Sequence, residues 1–375
     1  MSLQDLLPIL FEGLLSFTWG NALMMIVGGI LIALAVIKEY EPVLLLPIGF
    51  GCIVANIPLT GMTDGTGLFG ILYNAGISTE LFPLLIFIGV GAMIDFSPLL
   101  SQPKMVLMGA AGQFGIYGTL LLATLLGFPL NEAASIGVIG AIDGPTSIFV
   151  TTQLAPELLA PIAVAAYSYM SLVPIIQTPI MKLMTTKAER RIRMDYAPRP
   201  VSKRARILFP VIVTIAIGLL VPAAAPLISM LMLGNLLRES GVVERLNKAA
   251  QNEIANIATL FLGITIGSTM TASSFLNWQT ISILALGLIA FALDTVSGLL
   301  FGKLMSFISG GKINPLIGAA GISAFPMAGR LAAKVAQEED FDNFILMHAM
   351  GTNTAGQLGS VIAGGVLLAL VSGMM

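Results

Sequence analysis

The chain has 375 residues, of which 56% are hydrophobic and only 10% charged, with a net charge of −2. A soluble domain carries about 25% charged residues to cover its surface, so the bilayer is the expected solvent for most of this chain. The near-neutral balance excludes a nucleic-acid partner, and one cysteine (Cys52) with one histidine (His348) excludes an internal disulfide and a Cys/His zinc cluster.

Residues 1–15 hold no Lys or Arg, and the first basic residue is Lys38, so the start of the chain lacks the basic region of a signal peptide and nothing indicates its removal. Hydrophobic segments follow at about 17–37, 42–58, 81–96, 104–127, 132–151, 157–185, 207–232, 257–272, 278–302, 313–331 and 344–372. Several approach the roughly 20 residues that cross the hydrocarbon core, whereas 81–96 and 257–272 are short. Gly and Pro fall inside apolar runs such as Val211 to Ile228, where membrane helices tolerate them. The expected fold is an all-α integral membrane protein of about eleven hydrophobic segments.

Lys187 to Arg206 is the one strongly polar stretch. Its eight basic residues stand against Glu189 and Asp195, a net +6, and the positive-inside rule predicts a cytoplasmic linker. The linker divides two similar halves: Phe82 to Gly91 resembles Ala258 to Gly267, and Ile139-Gly-Ala141 and Ile317-Gly-Ala319 follow at nearly equal distances. This predicts an extra helix in 1–38, a first five-segment repeat in 39–186, the linker 187–206 and a second repeat in 207–375. If every segment crosses, an odd number inverts the second repeat, as in many secondary transporters. The amino terminus is then cytoplasmic, the carboxyl terminus external, and Lys38, Lys104 and Lys303 fall outside. If Ile136 to Phe149 re-enters instead, the amino terminus flips.

The strongest local motif is Gly140-Ala-Ile-Asp-Gly-Pro-Thr146. Gly144 weakens the helix and Pro145 removes a backbone donor, so carbonyls are released beside Asp143, which makes a cation site of oxygen ligands. The alternative is an Asp capping a helix at the membrane surface. The matching stretch Asn314 to Arg330 has two prolines and three glycines, so it too is expected to be discontinuous; paired breaks point to a binding site near the midplane. Asn353, within His348 to Ser360, either adds an amide oxygen to the site or bonds across helices. Tyr167 and Tyr169 are either proton donors or packed phenols. Asp294 is a second intramembrane acid and a functional candidate, whereas Asp95 reads as interfacial.

Gly140 to Thr146, Tyr167-Ser-Tyr-Met170, Pro174 to Pro179, Asn314 to Arg330 and His348 to Asn353 together resemble the β subunits of the sodium-translocating carboxylic acid decarboxylases, a family acting on oxaloacetate, methylmalonyl-CoA, glutaconyl-CoA or malonate. The resemblance runs from about residue 20 to the end. It implies inverted repeats forming a scaffold and a moving core in a bacterial cytoplasmic membrane. It implies decarboxylation of carboxybiotin carried by a partner subunit, with Na+ export and proton uptake. The implied partners are a carboxyltransferase α subunit, a biotin carrier and a small membrane-anchoring subunit around a homo-oligomeric core. It further implies Asp143 as the essential aspartate, Asn314, Gly318, Ser323 and Asn353 with Asp143 at Na+, and Tyr169 with Tyr167 for proton transfer. Arg330 is left between a partner for the carboxylate of carboxybiotin and a basic anchor near Lys334. The compact chain leans towards an acyl-CoA substrate for the whole complex. A secondary carrier exchanging Na+ for H+ or a solute is the rival reading, and co-purification with a biotin-bearing protein separates the two.

Overall fold

The structure, a computed structural model, describes residues 11–194 and 200–374. Residues 1–10 of the amino-terminal stretch, and Asp195 and Arg199 of the linker, lie outside the described residues. All described regular structure is helical. Among the described residues, five helices are long and apolar enough to cross a membrane: Trp19–Ile37, Met105–Leu125, Pro156–Met184, Trp278–Ile308 and Leu346–Ser372; the pair Leu68–Ile77 and Leu81–Met93, bent by 60°, adds a sixth if it acts as one span.

In chain order the first half contains α1 (Trp19–Ile37), α2 (Pro42–Ala55), α3 (Leu81–Met93), α4 (Met105–Ala111), α5 (Phe114–Leu125), α6 (Leu130–Val138), α7 (Gly144–Leu154) and α8 (Leu159–Met184). The second contains α9 (Lys203–Leu220), α10 (Ala225–Ser240), α11 (Ala255–Ser268), α12 (Trp278–Ile308), α13 (Met327–Glu339) and α14 (Leu346–Ser372). Starts follow ordinary capping chemistry: Thr18 and Asn21 form a capping box on α1, and Asn277 accepts the Thr280 N–H of α12 at 2.8 Å. The segment expected at 207–232 is corrected. A turn at Pro222–Ala224 splits it into α9 and α10, which run antiparallel, as the Arg206–Glu239 pair at 3.4 Å requires.

Contacts fix which helix ends lie together. At the linker end, Gln251 Nε2 donates to the Ala92 carbonyl at 2.9 Å and Lys303 pairs with Glu189 at 3.2 Å. At the opposite end Asn56 Nδ2 donates to the Met270 carbonyl at 2.8 Å, and a Cβ on Gly20 would lie 2.9 Å from Ala272. Helix α1 therefore starts at the far end and finishes, with Lys38, at the linker end. Lys104, beside Met105, whose sulfur lies 3.3 Å from the Thr352 hydroxyl near the start of α14, falls in the linker half.

Two segments are hairpins rather than crossings. Asn131 Nδ2 of α6 donates to the Leu154 carbonyl of α7 at 2.9 Å, so residues 130–154 enter and leave at one end. Residues 314–339 do the same at the linker end, because Arg190 holds both limbs: its carbonyl accepts Asn314 Nδ2 at 3.0 Å and its guanidinium pairs with Glu339 at 2.6 Å. Helix α8 begins beside the first hairpin and ends at the second, where Lys182 meets Glu338 at 2.8 Å. Its 26 residues rise about 39 Å, so the hairpins enter from opposite ends.

Two further crossings are reciprocal. A Cβ on Gly91 of α3 would lie 3.1 Å from the Asn235 nitrogen of α10, and one on Gly267 of α11 would lie 2.8 Å from the Cys52 nitrogen of α2. The facing glycines behave alike: Gly234 lies against the Ile88 carbonyl and Gly51 against the Ile264 carbonyl. At each site only hydrogen lets the backbones approach so closely.

Candidate functional site

The tip of the first hairpin is a regular helix brought to a halt. Helix α6 tightens into a 3-10 turn at Ile139–Ala141, Ile142 takes the left-handed region (φ 52), and extended Asp143 (φ −126) opens α7 with Pro145 in its first turn. The second hairpin enters as a 3-10 helix at Pro315–Gly321 and reverses through Ile322 to Pro326 into α13. The tips touch: the Ser323 N–H donates to the Ala141 carbonyl at 3.3 Å, and its hydroxyl donates to the same oxygen.

Asp143 is 6% exposed and its carboxylate accepts four hydrogen bonds. The Thr146 N–H reaches Oδ1 at 3.3 Å; Oδ2 receives the Thr146 hydroxyl at 2.7 Å and both Gln357 Nε2 and the Ser360 hydroxyl at 3.0 Å. Asp143 thus caps a helix, as one sequence reading held, but the cap is buried: every residue of 133–151 is inside the protein. Bonds to a charged acceptor contribute about 1.5–3 kcal/mol each, enough to hold an acid where an unpaired one is costly.

Helix α14 joins the tips. Asn353, Gln357 and Ser360 lie at i, i+4 and i+7, one face of the helix. Asn353 Nδ2 donates to the Ile322 carbonyl at 2.7 Å while its Oδ1 is buried without a partner among the described residues. The second tip and the Asp143 carboxylate are therefore bound by neighbouring turns of one helix, and the Asn353 side chain that holds the tip keeps a free amide oxygen.

A scan against protein families matches residues 20–371 to the Na+-transporting oxaloacetate decarboxylase beta subunit. The chain belongs to this family. The glutaconyl-CoA decarboxylase subunit beta of Acidaminococcus fermentans is 55% identical over 362 residues, covering 96% of each chain. The methylmalonyl-CoA decarboxylase subunit beta of Veillonella parvula is 54% identical over 361 residues, with 96% of each chain covered. The oxaloacetate decarboxylase beta chain of Klebsiella pneumoniae is 46% identical over 423 positions, covering 96% of this chain and 98% of that one.

Of the residues singled out in the sequence of this beta-subunit family member, the structure brings Asp143, Ser323 and Asn353 to the tip junction. Asn314 is elsewhere: in place of the expected meeting with Asp143, it is the base of the second hairpin. Its Nδ2 donates to the Arg190 and Ile192 carbonyls at 3.0 and 2.9 Å, and its Oδ1 accepts the Leu316 N–H at 3.0 Å. Seven residues of 3-10 helix put it about 14 Å from Ile322. Gly318 also faces away from Asp143, against the backbone of Gly298 on α12. Tyr167 and Tyr169 point in different directions, as residues two apart on a helix must. The Tyr167 ring occupies the space of a Cβ on Gly144, beside Asp143, and its buried hydroxyl has no partner among the described residues, whereas the Tyr169 hydroxyl donates to the Leu284 carbonyl of α12. Arg330 is exposed on the first turn of α13, just beyond the tip on the linker side. Sequence reasoning missed Gln357 and Ser360; the available signal was their i+4 and i+7 spacing from Asn353 in an apolar helix.

Proposed function

We propose that this chain is the membrane subunit of a biotin-dependent, sodium-translocating decarboxylase, in which CO2 is removed from carboxybiotin on a partner subunit and the step drives Na+ export with consumption of a proton. The observation that carries this is the α14 stripe, which ties a buried carboxylate and a free amide oxygen to the junction of two broken segments. Hard cations favour such all-oxygen surroundings. Asp143, Asn353 Oδ1 and the Ser323 hydroxyl are the sodium ligands in this reading, with Gln357 and Ser360 orienting the carboxylate. Asn314 acts at a distance, by holding the base of the second hairpin.

Carboxybiotin is substrate here. Exposed Arg330, one turn past the tip, offers a planar guanidinium to its carboxylate. The tyrosine fitted for proton transfer is Tyr167, whose hydroxyl is buried and unpartnered beside Asp143; Tyr169, bonded to Leu284, orients α8 against α12. Protonating Asp143 removes the charge that holds Na+, which links cation release to the proton that decarboxylation consumes. The complex includes a carboxyltransferase α subunit, a biotin carrier and a small membrane-anchoring subunit around a homo-oligomeric core. An acyl-CoA substrate, glutaconyl-CoA or methylmalonyl-CoA, is favoured over oxaloacetate. The relatives so named are more identical, and the alignment with the Klebsiella oxaloacetate chain runs to 423 positions, so that relative holds inserted residues that this 375-residue chain lacks.

The linker end is cytoplasmic in this reading. Lys38, Lys104 and Lys303 share it with the basic linker, as the positive-inside rule requires. With residues 130–154 a hairpin, the start of α1 then faces outside, which is the flipped topology. The reciprocal glycine crossings support inverted repeats in which α2 and α3 correspond to α10 and α11. Helix α1 then corresponds to α9, so the repeat takes in the helix first read as an extra one.

The test is the purified complex with glutaconyl-CoA as substrate. Decarboxylation that requires Na+ and is blocked by avidin is expected; activity indifferent to either refutes the reading. Sodium–proton exchange by this chain alone in vesicles, without any biotin protein, is the result that favours a carrier.

A further inference from the structure

Asp294 lies in the middle of α12, fully buried, and the function proposed above makes no use of it. Its Oδ1 accepts the Gly115 N–H, and three residues on, the Ser297 hydroxyl donates to the Ala111 carbonyl at 2.9 Å. These groups are the two halves of one missing helical bond, Gly115 N–H to Ala111 C=O, at the break between α4 and α5. Repairing the break takes an acceptor and a donor but no charge, so Asn at 294 would serve. The carboxyl adds a second oxygen, Oδ2, which is buried with no hydrogen-bond partner among the described residues. That oxygen faces the first hairpin: a Cβ on Gly140, in the 3-10 turn ahead of Asp143, would lie 3.0 Å from it.

The Ile116 N–H, one residue past Gly115, also faces this carboxyl, but no charged group among the described residues compensates Oδ2. On the elements packed against α12, Glu132 bonds Gln279 at 2.6 Å, Lys182 pairs with Glu338, and Tyr169 bonds Leu284; Lys303 of α12 itself pairs with Glu189. Tyr117 lines a cleft with Phe114 and Leu304, and Tyr167 rests against Gly144. No cationic side chain pairs with Asp294 among the described residues. A sodium ion gathers several oxygens, whereas a proton needs one, and one is what Asp294 offers.

We propose that Asp294 is a second proton-holding group of the membrane domain, which takes a proton from water on Oδ2 and returns it to water as the first hairpin shifts against α12. Ionised, it presents a charge to the turn at Gly140; protonated, it presents an O–H donor. The turn therefore has a different best seat in each state, and Asp143, three residues on, moves with it. Oδ1 keeps its bond to α5 throughout, so the pivot is fixed while the contact with the hairpin changes. Asp294 is in this sense a positioning residue, and the inference rests on the reading of Asp143 as the sodium site.

The experiment compares wild type, Asp294→Asn and Asp143→Asn in the assembled complex, measuring the apparent Na+ constant against pH, with infrared spectra of the membrane subunit read for a neutral-carboxyl band. In Asp294→Asn the slope of the logarithm of that constant against pH is expected to fall by up to about one, the contribution of one linked proton. One titrating neutral-carboxyl band of the wild type should vanish in this variant and survive in Asp143→Asn, which loses the Asp143 band instead. An unchanged slope, or no titrating band lost in Asp294→Asn, overturns the proposal and leaves Asp294 as a helix-break cap. If the variant fails to assemble, Gly140→Ala decides: it keeps every carboxyl and crowds Oδ2, so the titrating band that survives in Asp143→Asn must shift, and its failure to shift overturns the proposal. If Asp143→Asn retains its Na+ response, the sodium reading is what fails, and the infrared titration still reports on Asp294.

Discussion

Replacing Asp143 by Asn separates the charge of this residue from its shape. Three of its four donors converge on Oδ2, from Thr146, Gln357 and Ser360 at 2.7 to 3.0 Å, so the amide turns its oxygen to that side. Its nitrogen is left against the Thr146 N–H, and the lost cap bond costs about 1 kcal/mol. In a chain of this size that lowers the thermal midpoint by no more than about 3 °C. The cation loses far more. An opposite charge about 4 Å away in an effective dielectric near 20 contributes about 4 kcal/mol, and each 1.4 kcal/mol is tenfold, so Na+ should bind about a thousandfold more weakly. Decarboxylation rate against Na+ concentration in the reconstituted complex, with uptake of radioactive sodium and the thermal midpoint, measures both effects. A sodium constant within tenfold of wild type at an unchanged midpoint would refute the assignment of Asp143 as the charged ligand.

Other contacts make independent predictions. Asn353→Leu leaves the buried Ile322 carbonyl without its donor and deletes the free Oδ1; a stability loss of about 1–3 kcal/mol should accompany weaker Na+ binding, and a normal sodium constant rules out Asn353 as a ligand. Gly144→Ala drives a methyl group into the Tyr167 ring, an overpacking cost of about 1–3 kcal/mol by thermal unfolding. That cost should largely disappear in a Tyr167→Leu background, and additive losses contradict the contact. At the linker end the Arg190 guanidinium beside Glu339 holds its carboxyl below the ordinary 4.5, and Arg193 holds Asp340 below 3.8. A lowered carboxyl stabilises the fold above the unfolded value and loses that contribution as pH falls through the folded one. The base of the second hairpin should therefore hold at neutral pH and loosen in acid, with lower hydrogen-exchange protection factors over 327–339 below pH 4.5. Glu339→Gln should exchange faster at neutral pH too, and equal protection in the variant counts against the clamp.

How much of this was legible in the sequence depended on which physical signal each element carries. Breaks were legible, because Gly144-Pro145 and Asn314-Pro315 interrupt apolar runs where a helix gains nothing from them, and the matched stretches Ile139-Gly-Ala141 and Ile317-Gly-Ala319 both lie in 3-10 helix. Direction was not. A run of some twenty-five apolar residues reads alike whether it crosses or folds back, and only the Asn131–Leu154 bond and the double grip of Arg190 identify hairpins. The same blindness merged α9 with α10, since Pro222 reads equally as a kink or a turn. Asn314 drew attention for the right chemistry at the wrong depth: an Asn before Pro is also a cap, and here it accepts the Leu316 N–H at the start of the 3-10 helix. Gln357 and Ser360 went unnoticed because a polar residue in an apolar helix is ordinary until its partner is known.

The second tip is held in an unusual way for a buried segment, and this bears on how it can move. Its carbonyls at Ala319, Gly321 and Ile322 are met by side-chain amides from three different places: Gln177 of α8 at 2.9 Å, Gln113 at the α4–α5 break at 3.0 Å, and Asn353 of α14 at 2.7 Å. Each amide spends its NH2 group on the tip and keeps a buried oxygen with no partner. A continuous helix would have closed these bonds within itself and could shift only as a rod or by unfolding. Bonds lent by side chains are worth about 1 kcal/mol each and re-form with small rotations, so a tip held by them can change seat without stranding its backbone. The first tip has the complementary arrangement, with the charge on the hairpin and the donors on α14. A cation at the junction would thus compete with α14 for Asp143 while gaining oxygen from the amide that pins the other tip, and both hairpins would respond to one ion.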